Sequence, residues 1–318
     1  MAKDLWIVTA YFNPRRYSTK KFNFDLFAAR LRLTNANLLV IEMALKDDEF
    51  ELGDDHEVIR VRGNGVMWQK ERLLNIAIVN LPASCTKVAW LDCDLLFEDS
   101  EWLQKTSDAL ERFAVVQPFS SCVRLPHGHL KFRGGDQENE QITESFAAAF
   151  ARDRSLARDA VYREHGHTGF AWAARRELIA DCGLYDACLT GSGDHLMAHI
   201  FAGALDSRCI PAMIGSGHKY ADHFAHWAAK VNCISRGSLG HLPGRVLHLW
   251  HGATADRRYY LRNQEFKTFA FDPDRHIRRD ENALWEWAEA PAEMRAWASE
   301  LFALRNEDGD RGPRDQGV

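Results

Sequence analysis

The sequence predicts an α/β fold, a mainly parallel sheet flanked by helices, and three observations carry that expectation. Short apolar runs at residues 5–12, 37–45, 58–61, 88–91 and 114–119 alternate with segments of helical spacing. One of them, Val88-Ala89-Trp90-Leu91, is apolar on both faces, as in a parallel strand covered by helices. It ends in two carboxylates two residues apart, Asp92 and Asp94, at the carboxyl edge where open α/β sheets bind ligands. With 318 residues and 46% hydrophobic content the chain can bury a large core, as one big domain or one with an appended subdomain.

The first strand, residues 5–12, is broken by Asn13-Pro14 into a loop on the ligand side. A helix follows over 22–33, with Arg30 and Arg32 at the end that favours cations. Strands at 37–45 and 58–61 flank an acidic connection, and the second ends in Gly63-Asn64-Gly65. Residues 68–78 form a helix whose positions 73, 74, 77 and 78 face the sheet. Its polar face carries Lys70, Arg72 and Asn75, a basic helix start that could hold a diphosphate or simply be solvated.

Beyond the central strand, a helix is expected at 102–113 and a strand at 114–119. Residues 120–165 read as a long irregular segment, with one helix near 142–150, and as a candidate lid or acceptor loop. Gly169 would let backbone approach a ligand before the strand and helix of 170–179. Asp194 stands at or near the start of a helix over 196–204, where an N-cap role alone would explain it. A late strand in 245–252 delivers His248 and His251, with Arg257, Arg258, Tyr259 and Arg262 downstream. An amphipathic helix is expected around 292–304, and the polar, glycine-rich residues 306–318 read as a frayed tail.

A net charge of −5 and a pI near 6.3 argue against a broad grip on nucleic acid or anionic membrane. The chain enters its first strand without a leader-like segment, and no apolar run is long enough to span a bilayer. Seven cysteines without CxxC spacing suit reduced thiols, so the expected location is cytoplasmic.

The carboxylates Asp92 and Asp94 are hard oxygen ligands suited to Mg²⁺ or Mn²⁺ carrying a phosphate, against the plainer reading that they cap a strand before the Glu98-Asp99 turn. Histidine suits a further metal ligand, and arginines with Tyr259 suit phosphate oxygens. His195 and His199, four apart, and His218, His223 and His226 raise a histidine zinc site; without an HExxH pattern they read first as helix surface or core. Trp68, Trp172 and Trp250 flank the proposed site, where stacking and plain packing explain them equally.

Together these pieces resemble a glycosyltransferase of the GT-A fold, the class that uses nucleotide-diphosphate sugars. The resemblance runs from about residue 5 to 262. Asp92-Cys93-Asp94 resembles the DxD motif, the segment from Gly169-Phe170-Ala171 to Gly193-Asp194 resembles the family's Gly-x-x-Asp region, and the segment 248–252 resembles its late metal-binding histidine. Galactosyltransferase-like and family-two-like branches are both similar, although no second carboxylate stands beside Asp194.

The resemblance implies a GT-A, Rossmann-like, mixed sheet in residues 1–270, with a nucleotide-binding half (1–120), an acceptor and catalytic half (121–270), and a helical extension at 271–305. It implies that Asp94, Asp92 and His248 or His251 bind Mn²⁺ or Mg²⁺, with Asp92 also near the ribose. Thr9, Tyr11 and Asn13 would hold base and ribose, and Arg72 and Asn75 the nucleotide side. Gly169 and Phe170 would line the sugar, with Trp250, Arg257, Tyr259 and Arg262 completing the donor site. Asp194 would be the general base of an inverting transfer from a nucleotide-diphosphate sugar, a UDP-sugar first, to a glycan or other hydroxyl; without a carboxylate on the far face, retention would be the better reading. Nucleic acid is a less favoured acceptor. The competing expectations are a haloacid-dehalogenase-like Mg²⁺ phosphatase and a non-catalytic sugar-binding protein of the same fold.

Overall fold

The computed structural model describes residues 2–134 and 141–309, the side chain of Arg163 excepted. The first strand, β1 (Leu5–Phe12), leads through a loop into α1 (Ser18–Arg32), whose last turn carries Arg30 and Arg32. Then come β2 (Asn37–Leu45), β3 (Glu57–Gly63) and α2 (Lys70–Val79). The central strand β4 (Lys87–Leu91) is followed after three residues by β5 (Leu95–Phe97), then α3 (Trp102–Leu110) and β6 (Val115–Gln117).

Residues 120–165, expected to be irregular, hold β7 (Ser121–Arg124), β8 (Gln141–Glu144), α4 (Phe146–Arg152), α5 (Leu156–Asp159) and a 3-10 turn, Tyr162–His165. The helix expected near 142–150 therefore divides. Residues 141–144 pair antiparallel with β7, and the Ser145 side chain accepts from the Ala148 N–H to start the helix only after them. The alternating pattern of Gln141-Ile142-Thr143-Glu144 fits a strand as well as a helix, and the partner strand decides. The chain continues with β9 (Ala171–Arg175), α6 (Arg176–Ala180), α7 (Gly193–Phe201), α8 (Cys209–Ile214), the long α9 (Lys219–Ser235), β10 (Leu239–His241) and β11 (Arg245–His248). It closes with α10 (Tyr259–Lys267), α11 (Pro273–His276), the hairpin β12 (Ile277–Arg279) and β13 (Trp285–Trp287), and α12 (Ala292–Ala303).

Seven strands form one sheet in the order β10-β6-β9-β4-β1-β2-β3. All neighbours are parallel except at β9, which runs antiparallel to β4 and β6. This is the mixed, mainly parallel α/β architecture that the sequence predicts. Alternation sorts its side chains: Val88 and Trp90 of β4 with Trp172 and Ala174 of β9 enter the core beneath α2 and α7, while Ala89, Leu91, Ala171 and Ala173 enter the core beneath α1 and α3. The expected separate extension after residue 270 is part of the first core, since Phe271, Ile277, Leu284, Met294 and Ala298 belong to it. A smaller sheet, β5-β11-β7-β8, stands beside the carboxyl edge of the large one. Among the described residues no helix is long and apolar enough to cross a membrane, and the seven cysteines are free thiols.

Candidate active site

The site begins where β4 stops. Asp92, Cys93 and Asp94 make the passage from the large sheet to the small one, and two hydrogen bonds fix it: the Asp92 N–H donates to Phe170 O (2.8 Å), and the Leu249 N–H to Asp94 O (2.9 Å). Antiparallel pairing of β5 with β11 sets His248 opposite Leu95, one residue from Asp94. That register, rather than any nearness in sequence, brings the late histidines to the early carboxylates. The cleft above has a volume of about 1420 Å³, larger than the roughly 300–1,000 Å³ of common small-ligand pockets and so roomy enough for a donor and an acceptor together.

At one end, His251 Nε2 lies 3.2 Å and His248 Nε2 3.8 Å from Asp94 Oδ2, with the two Nε2 atoms 2.8 Å apart. Asp94 Oδ1 is buried without a hydrogen-bond partner among the described residues. A carboxylate and two imidazoles converging around an orphaned oxygen fit a divalent cation such as Mn²⁺. Burial and the neighbouring Asp92 push the Asp94 carboxyl up to about 7, and burial with Arg257 pushes His251 down to about 4. The imidazole is thus neutral at physiological pH, the form that can serve as a metal ligand.

Behind His251 stands a group that the sequence reading placed in a frayed tail. Glu307 is 3% exposed, 3.8 Å from His251 Nδ1, and bonded to Arg257 (3.0 Å) and Arg305 (2.6 Å). Burial alone would raise its pKa, but Arg305, Lys20 and His251 outweigh it and hold the carboxylate well below the ordinary range. Residues 306–309 are therefore built into the site; the rest of the expected tail, 310–318, lies outside the described residues.

Across the cleft, Lys70 bridges Asp92 (3.0 Å) and Asp194 (2.6 Å). Burial opposes its charge, yet Asp194 and Asp92 hold the amine well above the ordinary lysine range. Asp194 is raised by burial against the pull of Lys70. Glu71, 2% exposed and beneath them, is pushed by burial up to about 8. Asp194 does not cap its helix: Ser192 occupies the cap, and the carboxylate turns to Lys70 instead. Gly169 makes room here, since a Cβ on it would stand 3.8 Å from Asp194 Oδ2 and 3.2 Å from the His167 ring.

Between the two ends lies Phe170. Its ring stacks on His167 (4.0 Å) and on His248 (4.6 Å), with a backbone φ of 81° that side chains rarely adopt. The surroundings hold it there, and its carbonyl is the acceptor that anchors Asp92.

The cleft gathers Asn13, Lys70, Asp92, Asp94, Gly169, Phe170, Asp194, His248, His251, Tyr259 and Arg262, and the sequence singled out all of these. Asp92 stands apart from the Asp94–histidine cluster, because Lys70 draws its carboxylate to the other wall. Thr9 is fully buried and its hydroxyl donates to Leu91 O (2.8 Å), so it braces the end of β4 rather than facing the cleft. The Tyr11 hydroxyl donates to Glu51 beneath the loop. Arg72 pairs with Asp186 (2.9 Å) and Asn75 with Asp186 and both backbone groups of Leu184, so this face of α2 clasps the loop after α6 and touches no cleft. Trp250 packs against His127 and Gly309 on the outside. Arg257 is buried between Glu307 and His251 and holds them, and the Arg262 guanidinium, on the cleft wall, reaches the Gly191 and Arg257 carbonyls.

Sequence reasoning missed Lys20, Arg305 and Glu307 at the metal end and Phe302 on the cleft wall. Trp68, stacked on Phe302 at 6.0 Å and covered by Arg305 at 5.0 Å, does line the cleft.

No family model and no curated protein matches the chain. Among solved structures it is similar to a Drosophila β1,4-galactosyltransferase 7 mutant in complex with manganese, UDP-Gal and xylobiose, at 10% identity and a TM-score of 0.34 over 62% of this chain and 60% of that one. It thus spans less than two thirds of that protein's chain. It is also similar to a 4-diphosphocytidyl-2C-methyl-D-erythritol synthase from Anaerococcus prevotii (12% identity, TM-score 0.33, 76% of this chain and 86% of that one). A nucleotide-diphospho-sugar transferase from Desulfovibrio desulfuricans compares at 10% identity and TM-score 0.32, over 84% of this chain and 95% of that one. Scores this low leave the functional argument to the side chains of the cleft.

Proposed function

We propose that the protein is a metal-dependent glycosyltransferase that moves a sugar from a nucleotide-diphosphate donor to an acceptor hydroxyl. The observation that carries this reading is the division of one cleft. A carboxylate and two imidazoles suited to Mn²⁺ stand at one end, and a half-buried, lysine-paired carboxylate stands on the opposite wall. A divalent ion held by Asp94, His248 and His251 would neutralise the charge gathering on a departing nucleoside diphosphate. Lys20 and Arg305 face the same end and add positive charge there.

Asp194 is the general base. Its raised proton affinity suits taking the proton of an acceptor hydroxyl, a contribution of about 10²–10⁴-fold. Lys70 orients it, and its link to Asp92 ties the base to the donor side. Attack from the wall opposite the leaving group inverts the anomeric carbon. Trp68 and Phe302, stacked on each other in the cleft wall, would pack beside the nucleobase, and UDP is the first nucleotide to test. The acceptor, a glycan in this reading, would enter by Tyr260 and Leu261, both exposed at the cleft's other end.

Calorimetric titration with UDP, GDP, TDP and CDP, each with and without Mn²⁺, tests the proposal. Metal-dependent binding of one nucleotide, lost in Asp94→Asn while the circular dichroism spectrum is kept, is the expected result. Failure of all four nucleotides to bind would overturn it and turn attention to the phosphatase reading.

A further inference from the structure

A second cluster of ligating side chains lies apart from the Asp94 end, beneath the wall that carries Asp194. His165, at the end of the 3-10 turn, His195 and His199, one turn apart on α7, and Cys209, at the start of α8, each bring a ring nitrogen or the sulfur within 4.8 Å of one another. Helical spacing in α7 aims His195 and His199 at one side. The other two ligands arrive only through tertiary folding: His165 Nε2 is 2.9 Å from His195 Nε2 and 3.3 Å from Cys209 Sγ.

The hydrogen bonds around this cluster leave its centre electron-rich. His199 Nδ1 donates to Ala157 O at 2.7 Å, so its Nε2 carries a bare lone pair, and that atom is buried with no partner among the described residues. His165 Nδ1 contacts Gly166 O at 3.1 Å, which places a second lone pair on His165 Nε2. Cys209 Sγ accepts the Tyr162 N–H at 3.2 Å and, as a thiol, donates to Ala160 O at 3.4 Å, a proton that metal binding would displace. Protein hydrogen bonding alone leaves the His199 lone pair unsatisfied in a fully buried position, a costly arrangement. Imidazoles that donate Nδ1–H to carbonyls while turning Nε2 inward are the orientation that metal-bound histidines adopt.

We infer that His165, His195, His199 and Cys209 form a closed structural zinc site. Three nitrogens and one sulfur in a compact, mostly buried group match the tetrahedral N/S coordination that zinc prefers, and four protein ligands leave no open position for substrate. The ion would tie the 3-10 turn, α7 and α8 into one unit under the catalytic wall. It is a separate ion from the one proposed at Asp94, and the inference stands whether or not the protein transfers sugars.

Metal content after gel filtration, cobalt substitution and X-ray absorption test it. Wild-type protein should retain about one zinc per chain, and so should Asp94→Asn, while Cys209→Ser should lose it. Cobalt-loaded wild type should show a thiolate-to-cobalt charge-transfer band that Cys209→Ser lacks; the set Asp94, His248 and His251 contains no sulfur, and Cys93→Ser, which removes the thiol beside it, should keep the band. Should Cys209→Ser fail to fold, absorption at the zinc edge of the wild type decides: one sulfur at about 2.3 Å and three nitrogens at about 2.0 Å are expected. A zinc shell of nitrogen and oxygen only, or wild-type protein that keeps no zinc and gives no thiolate band after zinc or cobalt is supplied, would overturn the inference.

Discussion

Asp194, Lys70 and Glu71 share one network in the cleft wall, and Asp194 and Glu71 answer different measurements. Replacing Asp194 with Asn should lower kcat by about 10²–10⁴-fold with little change in donor affinity, because Lys70 keeps its bond to Asp92. Full turnover in that variant would reduce Asp194 to a partner of Lys70. Glu71, with a folded pKa of about 8 against 4.5 for the free group, is protonated in the native chain and ionised in the unfolded one between those values. Its contribution to stability is therefore complete below about pH 4.5 and is lost as pH rises through 8, by up to roughly 1 kcal/mol per pH unit. Glu71→Gln mimics the protonated form, so its melting temperature should fall less than that of the wild type between pH 5.5 and 8.5. Parallel melting curves for the two proteins would show that Glu71 is ionised in the fold.

At the level of elements, the small sheet and the stretch after α12 assemble the metal end. Carboxylates supporting metal-bound histidines typically change metal affinity by 10–100-fold, and Glu307→Ala should weaken Mn²⁺ binding by about that factor, read by electron spin resonance titration. Unchanged affinity would leave Glu307 as a packing group. Sequence showed Asp92 and Asp94 because carboxylates after an apolar run stand out, and it showed His248 and His251 because they sit in a late strand. It could not show Glu307, whose polar, glycine-rich neighbours read as a solvated end and whose importance comes from Arg257 and Arg305 folding around it. His165 and Cys209 were hidden for the same reason, 44 residues apart and without a motif. Arg72 and Asn75 misled in the opposite direction: their side of α2 looks free in sequence, yet it faces Asp186 and Leu184.

For the molecule as a whole, the sheet order was largely readable, since buried strands announce themselves by composition. The helix Lys219–Ser235 was passed over, because its mixed sequence acquires a buried side only once the fold packs it on α6, α7 and the loop of Gly183, Leu184 and Tyr185. The cleft draws its walls from β1, the Asp92–Asp94 passage after β4, α2, α7 and the stretch from α12 to Glu307, so a ligand bridging them should stabilise the entire fold. Ligand at one hundred times its dissociation constant adds about 2.7 kcal/mol. UDP with Mn²⁺ should accordingly raise the melting temperature by several degrees, at about 2–4 °C per kcal/mol for chains of 150–250 residues, and either component alone should do less. Equal shifts from UDP with and without the ion would separate nucleotide from metal.

The placement of Arg305 and Glu307 against His251 also bears on how the protein is made. On the ribosome, Asp94 is synthesised more than two hundred residues before its supporting carboxylate. At about 5–20 residues per second the sheet has tens of seconds to form around a metal end that still lacks its backing. Nascent chains halted before residue 305 should fold much of the sheet yet capture Mn²⁺ poorly, so competence would be conferred late in translation rather than accumulated along it.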